Sequence, residues 1–233
     1  MAKLVWDNIG DRKYEIGVDH GVIYPQNAAG AYQKGEAWSG LTSVNSSPSG
    51  ADANKTYADN IEYLTLRGAE EYGGTIEHLF LPDAALPCDG IRMINGVMVP
   101  GQVRLPFGFC YRTLIGNDTQ FDDYGYILHL VWGATMSPSE KQYATKSDTP
   151  EPLGLSNEFT CSPVALTTVD PGTGKVLRPC AHLEINSTKV TEASLKILED
   201  KLYGTDAGSG TTATDPELPT PDWVLSNIVA ITN

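Results

Sequence analysis

Residues 105–137 read LPFGFCYRTLIGNDTQFDDYGYILHLVWGATMS, and two runs within them alternate strictly. In 107–115, Phe107, Phe109 and Tyr111 point one way, and Gly108, Cys110 and Arg112 the other. In 124–135, Tyr124, Tyr126, Leu128, Leu130 and Trp132 share a face opposed by Gly125, Ile127, His129 and Val131. Successive side chains leave a strand on opposite faces, so the two runs predict a long antiparallel hairpin joined by a polar linker. The second run is apolar on nearly both faces. That predicts a central strand covered on both sides.

The remainder supplies further strands around this hairpin. Residues 1–40 hold short extended pieces at 3–6, 14–18 and 22–24 broken by Gly and Pro, an N-terminal arm with the first strands. From 42 to 56 the sequence TSVNSSPSGADANKT offers almost no side chain able to offset the entropy of ordering. A projecting loop that orders against a partner is expected there. Residues 61–186 read as the β core, with strands at 61–67, 75–81, 155–161 and 181–185. Asn95-Gly96 between 92–94 and 97–99 suits a type I′ turn, and Asp170-Pro171-Gly172-Thr173-Gly174 marks another. One helix is expected at 190–203. Thr191 caps it, Glu192 favours its positive end, Leu195, Leu198 and Leu202 form its apolar stripe, and Gly204 stops it. Residues 204–233 form a linker and C-terminal tail, whose Trp223, Val224, Leu225, Ile228 and Val229 should dock on their own domain or on a neighbour. Strands packed by a single helix predict a mainly β domain, a sandwich or barrel with one covered face.

At 233 residues, 41% hydrophobic and 19% charged, the chain can bury one substantial core. No apolar run approaches the ~20 residues of a membrane helix, so no membrane partner is expected. The first residues contain no apolar stretch of secretory length, which predicts synthesis in a cytosol. Cys88, Cys110, Cys161 and Cys180 have neither CxxC spacing nor a disulfide framework and read as free thiols. Formal net charge is −13, from 29 acidic and 16 basic residues. Such a surface argues against gripping nucleic acid, which needs Lys and Arg to displace counterions. It is compatible with lying beside DNA without holding it, and equally with ordinary solubility.

Candidate chemistry is sparse. Gly172-Thr173-Gly174-Lys175 invites a phosphate-loop reading, but the motif's first Gly and its Ser or Thr after the Lys are here Val169 and Val176. Cys180, His182 and Glu184 are spaced two apart and would share one strand face, so they could meet one metal ion; a half-exposed polar face explains them as well. There is no G-x-S-x-G and no H-E-x-x-H. His20, His78 and His129 stand without partner spacing, and His129, mid-strand, reads as a packed or hydrogen-bonded residue. No catalytic residue, cofactor or metal site is therefore expected, and the chain is not expected to be an enzyme.

Several stretches together resemble one family. They are WDNIGDRKYEIGVDHGVIYPQ near the start, then LTSVNSSPSGADANKTYADNIEYLTLRGAEEYGGTIEHLFLPDAALPCDG and FGFCYRTLIGNDTQFDDYGYILHLVWGATMSPSEKQYAT, and late in the chain LEINSTKVTEASLKILEDKLYGTD followed by ELPTPDWV. In this order they are similar to the major tail proteins, or tail tube proteins, of long-tailed bacteriophages. The resemblance implies a tail-tube-type β-sandwich or barrel with one flanking α-helix and extended arms and loops. It also implies self-assembly into rings, commonly hexameric, stacked into a virion tail tube with an acidic lining. DNA would pass through the lumen during ejection without specific binding. A tape-measure protein and tail-terminator or baseplate proteins would be the other partners. The pieces best suited to bridge subunits are Trp6 in the arm, Asn45, Ser46, Ser47, Pro48, Ser49, Asp52 and Asn54 in the projecting loop, and Trp223 in the tail. Edges of the long hairpin would pair between neighbours. The alternatives are a capsid decoration or other head protein, and a carbohydrate-binding β-sandwich or hydrolase.

Overall fold

A computed structural model describes residues 4–143, 145, 148, 152–208 and 212–231. In chain order the strands are β1 (Lys13–Pro25), β2 (Glu36–Ala37), β3 (Leu41–Ser46), β4 (Ser49–Gly50), β5 (Ala53–Ala58), β6 (Ile61–Arg67) and β7 (Glu70–Glu71). There follow β8 (Gly73–His78), β9 (Arg92–Ile94), β10 (Val97–Val99), β11 (Phe107–Asn117), β12 (Phe121–Met136), β13 (Leu155–Cys161) and β14 (His182–Asn186). Two helices close the chain, α1 (Glu192–Tyr203) and α2 (Pro221–Asn227). The fold is mainly β and antiparallel.

The predicted hairpin is β11–β12, and it lies at the centre of the main sheet, whose order is β2-β1-β11-β12-β13-β8-β3. β12 is long enough to serve two partners along one edge. Its segment from Ile127 to Val131 pairs β14, and Ala134 to Met136 pair β13. The change of partner falls at Gly133, which has φ +63 and sits hard against the backbone of Ser162. Here β12 advances three positions, from Val131 to Ala134, where β11 takes two, from Phe109 to Phe107. This bulge turns the strand. Beyond it the sheet rolls round until β3 returns to β1, where Trp38 N–H donates to Gly21 O at 2.7 Å and the absent side chain of Gly21 leaves room for Leu41.

The alternation read in the sequence divides two cores. Phe107, Phe109, Tyr111 and Val131 face one, enclosed by Trp38, Ile76, Phe159 and the turn at Leu81–Cys88. Cys110, Leu128, Leu130 and Trp132 face the other, where Val22, Tyr24 and Ile185 meet Leu195, Leu198 and Leu202 of α1. The tail docks on this second core through Leu218 and Val224, and Trp132 Nε1–H donates to Pro219 O at 2.9 Å. Thr191 stands at the helix N-cap as expected, but its hydroxyl bonds Ser194 Oγ at 2.9 Å instead of capping a backbone N–H.

Four expectations are corrected. Residues 42–56 are not a loop. They contain most of β3, hydrogen-bonded to β8, then β4 paired with β7 and the first part of β5. Backbone pairing to neighbours supplies the ordering that their small side chains do not. Residues 1–40 are more than an arm, since the pieces at 14–18 and 22–24 join as one bulged strand whose Val22, Ile23 and Tyr24 are buried. The β core does not run unbroken through 61–186, because β5 and β6 form a separate two-stranded hairpin. A second helix, α2, begins with Pro221 at its first turn, and Thr220 Oγ1 accepts from Trp223 N–H at 3.3 Å. The expected strand at 3–6 includes Lys3, and the linker includes residues 209–211, which lie outside the described residues.

Candidate assembly edges and an imidazole pair

Within the main sheet, β1, β11, β12 and β14 run side by side. Among the described residues no strand pairs the outer edge of β14, and β2 covers β1 only at Val22 and Ile23. The bare edges are level only near Asp19 and Ile185, linked through Arg112 and Leu128, because His182 and Leu183 lie across from Ile23 and Val22, which β2 covers. All three pairings are antiparallel, so β1 and β14 run in opposite directions. The expectation that the long hairpin would provide the free edges is largely corrected, because β11 lies between β1 and β12, and β12 is paired by β14 at 127–131 and by β13 at 134–136. Bulges near Asp19, with His20 at φ +50, limit the open length of β1.

The hairpin β5–β6 has a second unpartnered surface. Thr56 pairs Leu64 but the next β5 residue, Tyr57, pairs Glu62, so Tyr63 is the extra residue of a bulge. The shift sorts the side chains. Lys55, Thr65 and Glu62 fall on one face, where Lys55 Nζ meets Glu62 Oε2 at 2.8 Å. Leu64, Leu66 and Ile61 fall on the other and are 46%, 55% and 61% exposed. The Asn95-Gly96 hairpin is present as predicted and also bares its apolar residues, Met93, Ile94, Val97 and Met98. Leu4, Val5, Trp6 and Ile9 are exposed as well.

The residues singled out in the sequence are scattered over this surface. Trp6 is free of the core. Asn45 and Ser46 pair Thr75 and Gly74 in the main sheet, Ser47 and Pro48 are an exposed link whose Ser47 N–H donates to Gly73 O, and Ser49 pairs Glu71. Asp52 is exposed, and Asn54 pairs Leu66. Trp223 is half-buried under Lys201, whose Nζ stands 5.4 Å from the ring centre. The apolar face of β5–β6 escaped sequence reading because its bulge breaks the period of two.

On the first core's open side lies a row of aromatic rings. Tyr72 stacks on His182 at 4.5 Å, His129 stacks on Tyr111 at 4.4 Å, and the two imidazoles are nearly parallel. His129 Nδ1 and His182 Nε2 are 3.3 Å apart. Thr113 Oγ1 donates to Glu15 Oε1, so it accepts from His129 Nε2–H at 2.9 Å. That fixes His129 Nδ1 as an acceptor. Glu184 Oε1 lies 3.7 Å from this nitrogen and 3.9 Å from His182 Nδ1. Burial and the neighbouring His129 push the His182 pKa down to about 4, and burial lowers that of His129 against the pull of Glu184 and Glu15. Both rings are neutral at pH 7. Of the trio Cys180, His182 and Glu184, only the last two come together, with His129 in place of the cysteine. Cys180 leaves the strand period to pair Val164. Cys88, Cys110 and Cys161 are buried free thiols held near 12 by burial.

No protein-family model matches the chain, and no curated protein matches it in sequence. No helix among the described residues is long and apolar enough to cross a membrane.

Proposed function

We propose that this chain is a structural subunit that closes head-to-tail into rings, hexameric by the family resemblance, and that the rings stack into a phage tail tube. The observation that carries the reading is that, among the described residues, the outer edge of β14 and the 13–20 stretch of β1 are unpaired at opposite sides of the sheet. A strand edge presents a row of unmet N–H and C=O groups. Setting β14 of one copy against β1 of the next makes an antiparallel junction like those inside the sheet. Because the two edges are different surfaces, the contact is heterologous, and a rotation that closes gives a ring.

Stacking needs a second surface. The apolar face of β5–β6, the β9–β10 hairpin and the segment around Trp6 supply exposed apolar area outside the ring edges. Many modest contacts of this kind hold a tube without any one being strong. The −13 charge suits a bore through which DNA slides during ejection without being gripped. On this reading the subunit catalyses nothing, is made in the host cytoplasm and resides in the virion tail. Its further partners are the tape-measure protein and tail-terminator or baseplate proteins.

Electron microscopy of the purified chain after concentration tests the proposal. Rings or tubes are expected. A chain that stays monomeric at every concentration, or that coats capsid shells as a decoration protein does, overturns it.

A further inference from the structure

The geometry points to a binding site for one borderline divalent transition-metal ion, of the Zn2+ class, formed by His129 Nδ1, His182 Nε2 and Glu184 Oε1. The three ligand atoms lie within 4.8 Å of one another. Metal–nitrogen bonds of about 2.0–2.1 Å set tetrahedral ligands about 3.3–3.4 Å apart. The two imidazole nitrogens stand at 3.3 Å but face each other head-on, in nearly parallel rings 5.5 Å apart, so the rings must pivot within their planes for both lone pairs to meet one ion. Glu184 Oε1 lies 3.7 Å from His129 Nδ1 and must also close on His182 Nε2, and its side chain is more than half exposed. Three protein ligands leave a fourth position for water.

The surroundings hold the ligands in the required state. A metal-binding imidazole ordinarily gives its other N–H to an oxygen that fixes its tautomer and orientation. His129 does so through Thr113, whose hydroxyl is in turn committed to Glu15. Tyr111 and Tyr72 stack on the two rings and restrict their rotation. In the metal-free pair, His182 Nε2–H donates to His129 Nδ1. On binding, the His182 proton moves to Nδ1, so the metal takes the place of a shared hydrogen and the pair releases none.

The donor set decides the class of ion. Two imidazoles and one carboxylate suit Zn2+, Co2+ or Ni2+, whereas Mg2+ and Ca2+ call for oxygen ligands. His129 and Glu184 are direct cross-strand partners, and His182 pairs Val131, two residues on along the same face of β12. The ion would therefore clamp β12 to β14. The site is independent of the tube reading, since it lies within one chain and is measured on dilute, unassembled protein.

The test is calorimetric titration of the full chain, stripped of metal and free of any tag, with Zn2+, together with visible absorption of the Co2+ form. One Zn2+ per chain is expected, with Co2+ giving the intense ligand-field bands of low coordination and no thiolate charge-transfer band. His182→Ala should abolish saturable binding, Glu184→Gln should weaken it about tenfold or more, and His20→Ala should leave it unchanged. Circular dichroism reports folding; if His182→Ala fails to fold, Glu184→Gln, at an exposed position, decides the matter. Absence of saturable binding in the parent chain, a thiolate band, or unchanged affinity in Glu184→Gln overturns the site and leaves only a hydrogen-bonded imidazole pair.

Discussion

Two ion pairs show how differently single residues contribute. Asp89 is buried and accepts from Lys141 Nζ at 2.8 Å and from Asn157 Nδ2 at 3.3 Å, with Arg104 at 4.0 Å. Asn157 Oδ1 in turn accepts from His78 Nε2 at 2.7 Å. Asp89→Ala would strand these partners, and a loss of about 2–4 kcal/mol in unfolding free energy is expected from denaturant titration. Asp19, by contrast, is partly exposed and receives both Nε and Nη2 of Arg112 at 2.7 Å. The Arg112 hydrogen bonds hold its carboxyl below the usual range. Its stabilisation is therefore complete above the unfolded carboxyl value of about 3.9 and is lost as pH falls through the lower folded value. Solvent screening limits it to about 1 kcal/mol or less. Asp19→Asn should remove that part of the acid dependence in urea titrations at a series of pH values. Neither network was legible in the sequence, since Asp89 meets partners 52 and 68 positions away and Asp19 one 93 away.

Among the elements, α1 and the β5–β6 hairpin make opposite demands. Leu198 is fully buried and packs the helix onto the second core. Leu198→Ala should cost about 2–5 kcal/mol, measured by chemical unfolding. Leu64 and Leu66 point into solvent in the single chain. Leu64→Ser with Leu66→Ser should change monomer stability by only about 0.5 kcal/mol per site, while stacked rings fail to form in micrographs. Normal tubes from that variant would remove the hairpin from the interface. It is a cleaner probe than deleting residues 46–54, because Ser46 pairs Gly74 in the main sheet. The helix was readable from its Thr191 start, leucine stripe and Gly204 stop, all local signals. α2 was not, since seven residues give too few turns for a periodic stripe to stand out.

At the scale of the whole molecule, charge opposes what the strand edges favour. Copies carrying −13 repel one another, and the repulsion is long-ranged and screened by salt. The proposed backbone pairing at β1 and β14 and apolar contact at β5–β6 would be short-ranged and little screened. Raising the salt concentration should therefore shift sedimentation velocity profiles toward assembly. Weaker assembly at high salt would mean that complementary ion pairs, not edges and apolar faces, hold the copies together.

What the sequence determined by itself is whatever repeats within a few residues: the alternation of β11 and β12, the Asn95-Gly96 turn, the leucine stripe of α1. These follow from the backbone's own geometry, with side chains alternating along a strand and recurring every three to four residues round a helix. Tertiary structure alone decided which strands lie beside β12, where bulges invert a face, and that His129 would meet His182 and Glu184. Those outcomes turn on contacts between distant segments, and a single bulge at Gly133 or Tyr63 is enough to redirect an edge or a whole face.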